Sequence, residues 1–377
     1  MNKASVKMWL VEPLKSEVSD ALERLAQTED VCHIAVMPDV HLAKDVCIGT
    51  VVATQSRLYP QAVGNDIGCG MTAVGFQCSA DIVQDETAAA RLLNGLGKLV
   101  PTNRHSKLTM VDSLPDALLE APLSAPQLEK LKRRDARVQF ATLGRGNHFL
   151  EFQATEQNAL WLMVHSGSRA IGQSITNHHL QAATTANTGL KFLHADSDNG
   201  QAYLQDVEWA YAYADLSRKA IMEAVIVLME KLFGISADLS SMMACHHNHV
   251  QLEKHFGHSY WVHRKGAVYA ANGEVGLIPG SMGTSSFHVE GRGCEPALCS
   301  SSHGAGRSMS RYEAKKIFTL KQLHQQMQGV WFDYRLGNRL REETPLAYKN
   351  IHKVMRAQRE LVRIVRKLRP VLSYKGT

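Results

Sequence analysis

No two of the seven cysteines (Cys32, Cys47, Cys69, Cys78, Cys245, Cys294 and Cys299) are spaced as CxxC, and their number is odd. A zinc ribbon and a disulfide framework are both disfavoured, so the thiols are expected to be reduced, most of them as small core residues. Long apolar runs are missing too. The nearest, 220–232, is broken by Glu223, Glu230 and Lys231, so no membrane span and no membrane partner are expected. The first eight residues hold no apolar run of signal-peptide length, which points to a cytoplasmic protein. The Walker A pattern Gly-x-x-x-x-Gly-Lys-Ser/Thr does not occur. Internal repeats and low-complexity linkers are also absent, and the expectation is a single domain over 1–377.

Charge is present in modest excess. A net charge of +6 is mildly basic and by itself says little about nucleic acid. Its distribution says more: residues 351–369 carry Lys353, Arg356, Arg359, Arg363, Arg366, Lys367 and Arg369 against Glu360 alone.

Apolar stretches along the chain end repeatedly in polar, Gly-containing loops, the usual places for sites on a rigid scaffold. Residues 31–37 read as a buried strand running into a polar turn at 38–41, and 46–54 as β-rich. Helices are expected at 85–99, 124–138, 311–328 and 346–368, the last started by Pro345. Residues 202–233 read as two helices with Asp215 or Ser217 capping the second. Residues 161–165 read as a strand, and 260–278 as short strands broken at Gly266 and Gly273. Strands and helices do not alternate cleanly, so the expected class is α+β, with mixed sheets and peripheral helices around a central dinuclear metal cleft.

That cleft is inferred from five side chains. Asp66 and Cys69 lie in Asp66-Ile67-Gly68-Cys69, where glycine permits a turn aiming both at one centre. His148 follows Gly146-Asn147, His165 precedes Ser166-Gly167-Ser168, and His247 precedes Asn248. A thiolate can bridge two cations, leaving Asp66 and one histidine for one ion and two histidines for the other. Mixed sulfur, nitrogen and oxygen ligation suits Mn, Fe, Co or Zn, and the sequence does not choose among them. The competing reading of Cys69 is a core thiol. His246 competes with His247, because neighbouring strand residues face opposite ways.

Ser302-His303-Gly304-Ala305-Gly306-Arg307 adds a histidine that the metals do not need, among small residues that expose backbone N–H groups, with an arginine suited to phosphate. Residues 279–286 form a second loop of this kind. A spare histidine beside cations is a candidate nucleophile toward phosphorus. Asp39 is the candidate carboxylate to fix its tautomer, or else it caps its own turn.

These blocks resemble one family. Met37-Pro38-Asp39-Val40-His41, Gly64-Asn65-Asp66-Ile67-Gly68-Cys69-Gly70-Met71, Gly144-Arg145-Gly146-Asn147-His148-Phe149-Leu150-Glu151 and His165-Ser166-Gly167-Ser168-Arg169 are followed by His246-His247-Asn248, Arg264-Lys265-Gly266-Ala267, Pro279-Gly280-Ser281-Met282-Gly283 and Ser302-His303-Gly304-Ala305-Gly306-Arg307. Their order and content are similar to those of the RtcB family of GTP-dependent RNA ligases, from about residue 30 to the C-terminus. The resemblance implies two Mn²⁺ ions on Asp66, Cys69, His148, His165 and His247, with Cys69 bridging. It also implies guanylylation of His303 by GTP, then joining of an RNA 3′-phosphate or 2′,3′-cyclic phosphate to a 5′-hydroxyl. By motif position Asn147, Phe149, Glu151, Asn248, Ser281, Ser286, Ala305, Gly306, Tyr348 and Lys375 become GTP contacts, with Glu151 on the guanine edge. RNA and an archease-type activator become partners. The basic 351–369 segment then reads either as an RNA groove or as a packed helix with a solvated basic face. Ala43-Lys44-Asp45, Arg145 and short stretches at 100–125 and 185–240 depart from the family pattern, and suggest a compact bacterial paralogue serving RNA repair more than tRNA splicing. Two rival classes share these features: a dinuclear metal phosphoesterase acting on RNA ends, and a non-catalytic RNA- or ribosome-binding factor with a structural metal.

Overall fold

The computed structural model describes residues 3–106, 111 and 113–376; part of the short 100–125 stretch therefore lies outside the described residues. Two large sheets carry the architecture. The first has seven antiparallel strands in the order Ala237–His246, Gly70–Ser79, Ala159–Ser166, Phe149–Thr155, Val362–Lys375, Ser286–Gly291, Val275–Ile278. The second has five, in the order Ser5–Met8, Val31–His41, Ile48–Thr54, His258–Lys265, Asn248–His255, with only the first pair parallel. Short strands Ala267–Tyr269 and Ser300–Ser302 form a separate pair. Helices pack around these sheets, and the class is α+β with mixed sheets, as the irregular strand spacing implied.

The longest helix, Asp198–Phe233, buries Tyr203, Val207, Ala210, Ala214, Ser217, Ile221 and Val225, a three-and-four spacing that keeps one stripe against the sheet. It is one helix where two were expected. Ser197 caps its start by accepting from the Gly200 N–H, and Gly234 ends it in the left-handed region at φ 67°. Ser217 does not cap; its hydroxyl accepts from the Ala141 N–H. Asp215 sits 3.6 Å from Arg218 one turn on. Tertiary partners have thus absorbed the two polar side chains that looked like a break.

Other boundaries also move. Val31–His41 is one strand through Pro38, where a turn was expected. Pairing with Ser5–Met8 ends at Val36, and the register with Ile48–Thr54 shifts between Val36 and His41, so no ladder bond is asked of Pro38. Residues 311–328 split into Arg311–Ile317 and Leu320–Gln326, each begun by a capping box. The largest change is at 346–368. Only Ile351–Ala357 is helical; Pro345 belongs to a 3₁₀ turn, and Val362–Lys375 is a central strand. Arg363, Lys367 and Arg369 on that strand are exposed, and Val362 and Leu368 are buried. Three-and-four spacing of its apolar residues had mimicked a helix.

Strand register sets up the site. Gly70 pairs with both Ser166 and His246, and His165 pairs with both Met71 and Phe149. The segments carrying Cys69, His148, His165 and His247 therefore lie side by side at one end of the seven-stranded sheet.

Candidate metal centre and nucleotide pocket

The side chains at that sheet end converge. Cys69 Sγ lies 3.2 Å from His165 Nε2 and 3.4 Å from His148 Nε2. His165 Nε2 is 3.3 Å from His247 Nε2, and His148 Nε2 is 2.8 Å from an Asp66 carboxylate oxygen. Among the described residues, two triplets have the geometry to hold an ion: Cys69, His165 and His247, and Asp66, Cys69 and His148. They share the Cys69 sulfur. His246 turns the other way, its Nδ1 accepting from Arg218 and its ring against Tyr211.

Chemistry here suits cations. Burial pushes His165 and His247 well below the ordinary imidazole range, so both present neutral lone pairs. The Nδ1–H of His165 donates to the Asn147 carbonyl at 3.2 Å, which leaves Nε2 as the free donor atom. The His247 Nδ1 is buried and has no hydrogen-bond partner among the described residues. The two Nε2 atoms can share a single proton, and a cation in its place would be held by both lone pairs. Burial, reinforced by the Asp66 charge, pushes the Cys69 thiol well above its usual range. Burial would also raise Asp66, but the charge and hydrogen bond of His148 outweigh it and hold the carboxyl at about 2. A cation would displace the thiol proton.

Two buried features build the loops. Arg218, fully buried in the long helix, donates at 2.9 Å to the carbonyls of both Gly68 and Ser166 and so ties the Cys69 loop to the His165 loop. Gly167 has no room for a side chain: a Cβ there would lie 2.4 Å from an Asp66 carboxylate oxygen.

His303 follows strand Ser300–Ser302, and its ring centroid is 4.8 Å from that of His247. Its Nδ1 donates to buried Asp39 Oδ2 at 2.6 Å, and the same oxygen accepts the His303 backbone N–H at 3.1 Å. Nε2 makes no hydrogen bond among the described residues. Gly306 lets the two segments approach, since a Cβ there would sit 2.2 Å from the Asp39 carbonyl oxygen.

Beside His303 opens a cleft. Asn147, Phe149, Glu151, Ser281, Ala305, Gly306, Tyr348 and Lys375 line it, together with His165 and His303. Two expected contacts lie elsewhere. Asn248 holds the loops, donating to the Asp66 carbonyl at 3.0 Å and accepting from the Gly266 N–H at 2.9 Å. Ser286 is buried behind the wall, where its hydroxyl accepts from Gln153 at 3.1 Å. Burial pushes the Glu151 carboxyl up to about 8, against the hydrogen bond from Gln153 that pulls it down.

Glu343 was not picked out from sequence, where it sits in a Glu-Glu pair like any solvated charge. It is 3 % exposed and accepts from Lys375 at 2.9 Å, Arg311 at 2.8 Å, Arg307 at 3.2 Å and the Tyr348 hydroxyl. Burial would raise its carboxyl, but Lys375 and Arg311 hold it at about 2. Three cations around one carboxylate leave the cleft wall positive. Arg218, too, read as one more base in a helix, and Arg311 and Gln153 had no motif to mark them.

Comparison with known proteins agrees with the motifs. Residues 21–376 match the family model of tRNA-splicing ligase RtcB. The chain is 36% identical over 402 aligned positions to RNA-splicing ligase RtcB of Escherichia coli (strain K12), covering 99% of this chain and 98% of that protein. It is 31% identical to RNA-splicing ligase RtcB2 of Escherichia coli (strain ATCC 25922), over 99% and 95% of the two chains. Against tRNA-splicing ligase RtcB of Nanoarchaeum equitans (strain Kin4-M) it is 27% identical, over 92% and 88%. With a family match that runs almost end to end and the motif residues gathered around one cleft, this chain belongs to the RtcB family.

Proposed function

We propose that the chain is an RNA ligase that uses GTP and two Mn²⁺ ions to join an RNA 3′-phosphate, or a 2′,3′-cyclic phosphate opened to one, to a 5′-hydroxyl. Cytoplasmic RNA repair or tRNA splicing is the expected setting, with an archease-type activator as a possible partner. Among the described residues no helix is long and apolar enough to cross a membrane. One observation carries the reading: His303 is fixed through Nδ1 by Asp39, and its other nitrogen is left free in a cleft beside the Cys69 cluster.

Asp39 keeps the proton on Nδ1, so the lone pair of His303 is on Nε2, the nitrogen that attacks. Nε2 forms a bond to the α-phosphorus of GTP as the bond to pyrophosphate breaks, and pyrophosphate leaves with the electron pair. Asp39 stabilises the positive ring that results. The RNA 3′-phosphate then displaces His303 from phosphorus, and the 5′-hydroxyl displaces GMP from the activated end. Asp66, Cys69, His148, His165 and His247 would hold the metals, which when bound neutralise the reacting phosphate oxygens. Arg307 and Lys375 line the cleft where the nucleotide's negative charge must sit. Glu151 faces the base.

Incubation with α-labelled GTP and Mn²⁺ is expected to leave label on the wild-type protein and none on His303→Ala. Equal labelling of the two would remove His303 from its role.

A further inference from the structure

Arg145, the arginine that stands between two glycines, takes no part in the metal centre or the nucleotide cleft. It lines a second cleft together with Lys315, Arg339, Glu342 and Glu343. All three bases are exposed, and none forms an ion pair or a side-chain hydrogen bond among the described residues. Glu342 is the one free acid on the wall, with a single 4.0 Å contact to Arg311. Glu343 is already saturated by the cations of the nucleotide cleft. The second cleft therefore carries a surplus of positive charge, three bases against the one carboxylate of Glu342.

Its position is as informative as its charge. Glu343 forms the partition between the two clefts: it lines the second, and its partners Arg307, Arg311, Tyr348 and Lys375 line the first. Lys315 lies four residues after Arg311 on helix Arg311–Ile317, so one helix face serves both. Arg145 precedes the metal-cluster residue His148 by three residues, at most about 10 Å of extended chain. The neighbouring Gly146 carbonyl accepts from Lys375 at 3.2 Å, which fixes the loop.

We propose that Arg145, Lys315 and Arg339 form a phosphodiester-binding subsite that holds the backbone of an RNA strand whose end lies at the metal centre. The proposal deepens the ligase reading and rests on it. A reacting end beside His148 needs a path for the phosphates that follow it, and this basic cleft is lined by Arg145 and Gly146 of the same loop. Arginine and lysine without protein partners suit backbone oxygens, which they grip without reading bases. The partition by Glu343 keeps this subsite apart from the GTP phosphates.

The probe is a fluorescein-labelled single-stranded RNA with a 3′-phosphate, titrated with wild-type protein and with the Arg145→Ala, Lys315→Ala, Arg339→Ala triple variant over a salt series. Three lost phosphate contacts are expected to lower the slope of log Kd against log salt by about 2, and to weaken binding about tenfold near the low-salt end. Labelling of the variant by α-labelled GTP should equal that of wild type, which also reports that the variant is folded. Unchanged RNA affinity and slope would overturn the proposal. So would a variant that binds RNA normally but labels poorly, because the cleft would then be serving the nucleotide's own phosphates. A wild-type protein that binds RNA yet takes no label would sink the ligase reading alone, and the salt slope would still decide the subsite.

Discussion

Each important residue in the site is defined by what it is denied. His303 is denied a choice of tautomer by Asp39, and His165 by the Asn147 carbonyl. Glu151 is denied water, which is why its carboxyl titrates at about 8 in place of its ordinary 4.5. That shift has a sign that can be tested. Below pH 8 the empty cleft holds Glu151 protonated, but a carboxylate accepting from the N–H groups of guanine is favoured in its charged form. Binding GTP in the Glu151-on-guanine pose should therefore release a proton below about pH 8, and affinity should climb as pH rises toward that value and level off above it. Calorimetry in two buffers of different ionisation enthalpy measures the proton count; binding with no proton release at pH 7 would exclude this pose. For folding the sign is opposite. A carboxyl raised in the native state favours folding fully below pH 4.5, and the contribution is lost as pH climbs to 8.

Among the elements, the 36-residue helix does more than cover the sheet. Its Arg218 donates to both the Gly68 and Ser166 carbonyls, a second tie where the ladder between the two strands ends at the Gly70–Ser166 pair. Replacing it by methionine keeps the apolar stem and leaves the Gly68 and Ser166 carbonyls unpaired in a buried place. Each such group costs about 1–3 kcal/mol, so Arg218→Met is expected to lose about 2–6 kcal/mol of stability in chemical denaturation. The same change removes the side-chain tie between the Cys69 and His165 segments beyond the Gly70–Ser166 pair, and metal bound per chain should fall with it. Full stability together with full metal content would show that the loops are held by other contacts. The strand Val362–Lys375 makes the complementary point. Its first half carries exposed Arg363, Lys367 and Arg369, its second half is buried, and it ends at Lys375, so this central strand delivers a residue to the cleft beside His303.

For the whole molecule, the decisive fact is that distant segments meet at one sheet end. The candidate ligand side chains from residues 66 to 247 and His303 come together only in the complete fold, so in the proposed ligase metal binding is coupled to folding. Mn²⁺ at about 100 times its dissociation constant should add about 2.7 kcal/mol to stability, and a chelator should remove that increment. Read as one domain, the chain should unfold in one transition, with tryptophan fluorescence and far-ultraviolet circular dichroism coinciding. Separate transitions, or stability indifferent to chelation, would contradict this coupling.

The side chains that gather at the candidate site were legible in the sequence because the chemistry proposed for it needs particular atoms. A thiolate, a carboxylate and imidazoles in glycine-rich turns stand out from a background of core and surface residues, and so do the ordered blocks around them. Much of the element pattern was legible for a similar reason: Ile48–Thr54, Glu86–Leu99 and Ala159–Ser166 lie where local composition placed them. Tertiary structure alone decided the rest. Whether 362–375 is a strand, whether 198–233 is one helix, and whether Glu343 is a solvated acid or a buried clamp all depend on partners far along the chain. Periodicity and composition describe a residue's neighbours in sequence, whereas burial and hydrogen bonding are settled by its neighbours in space.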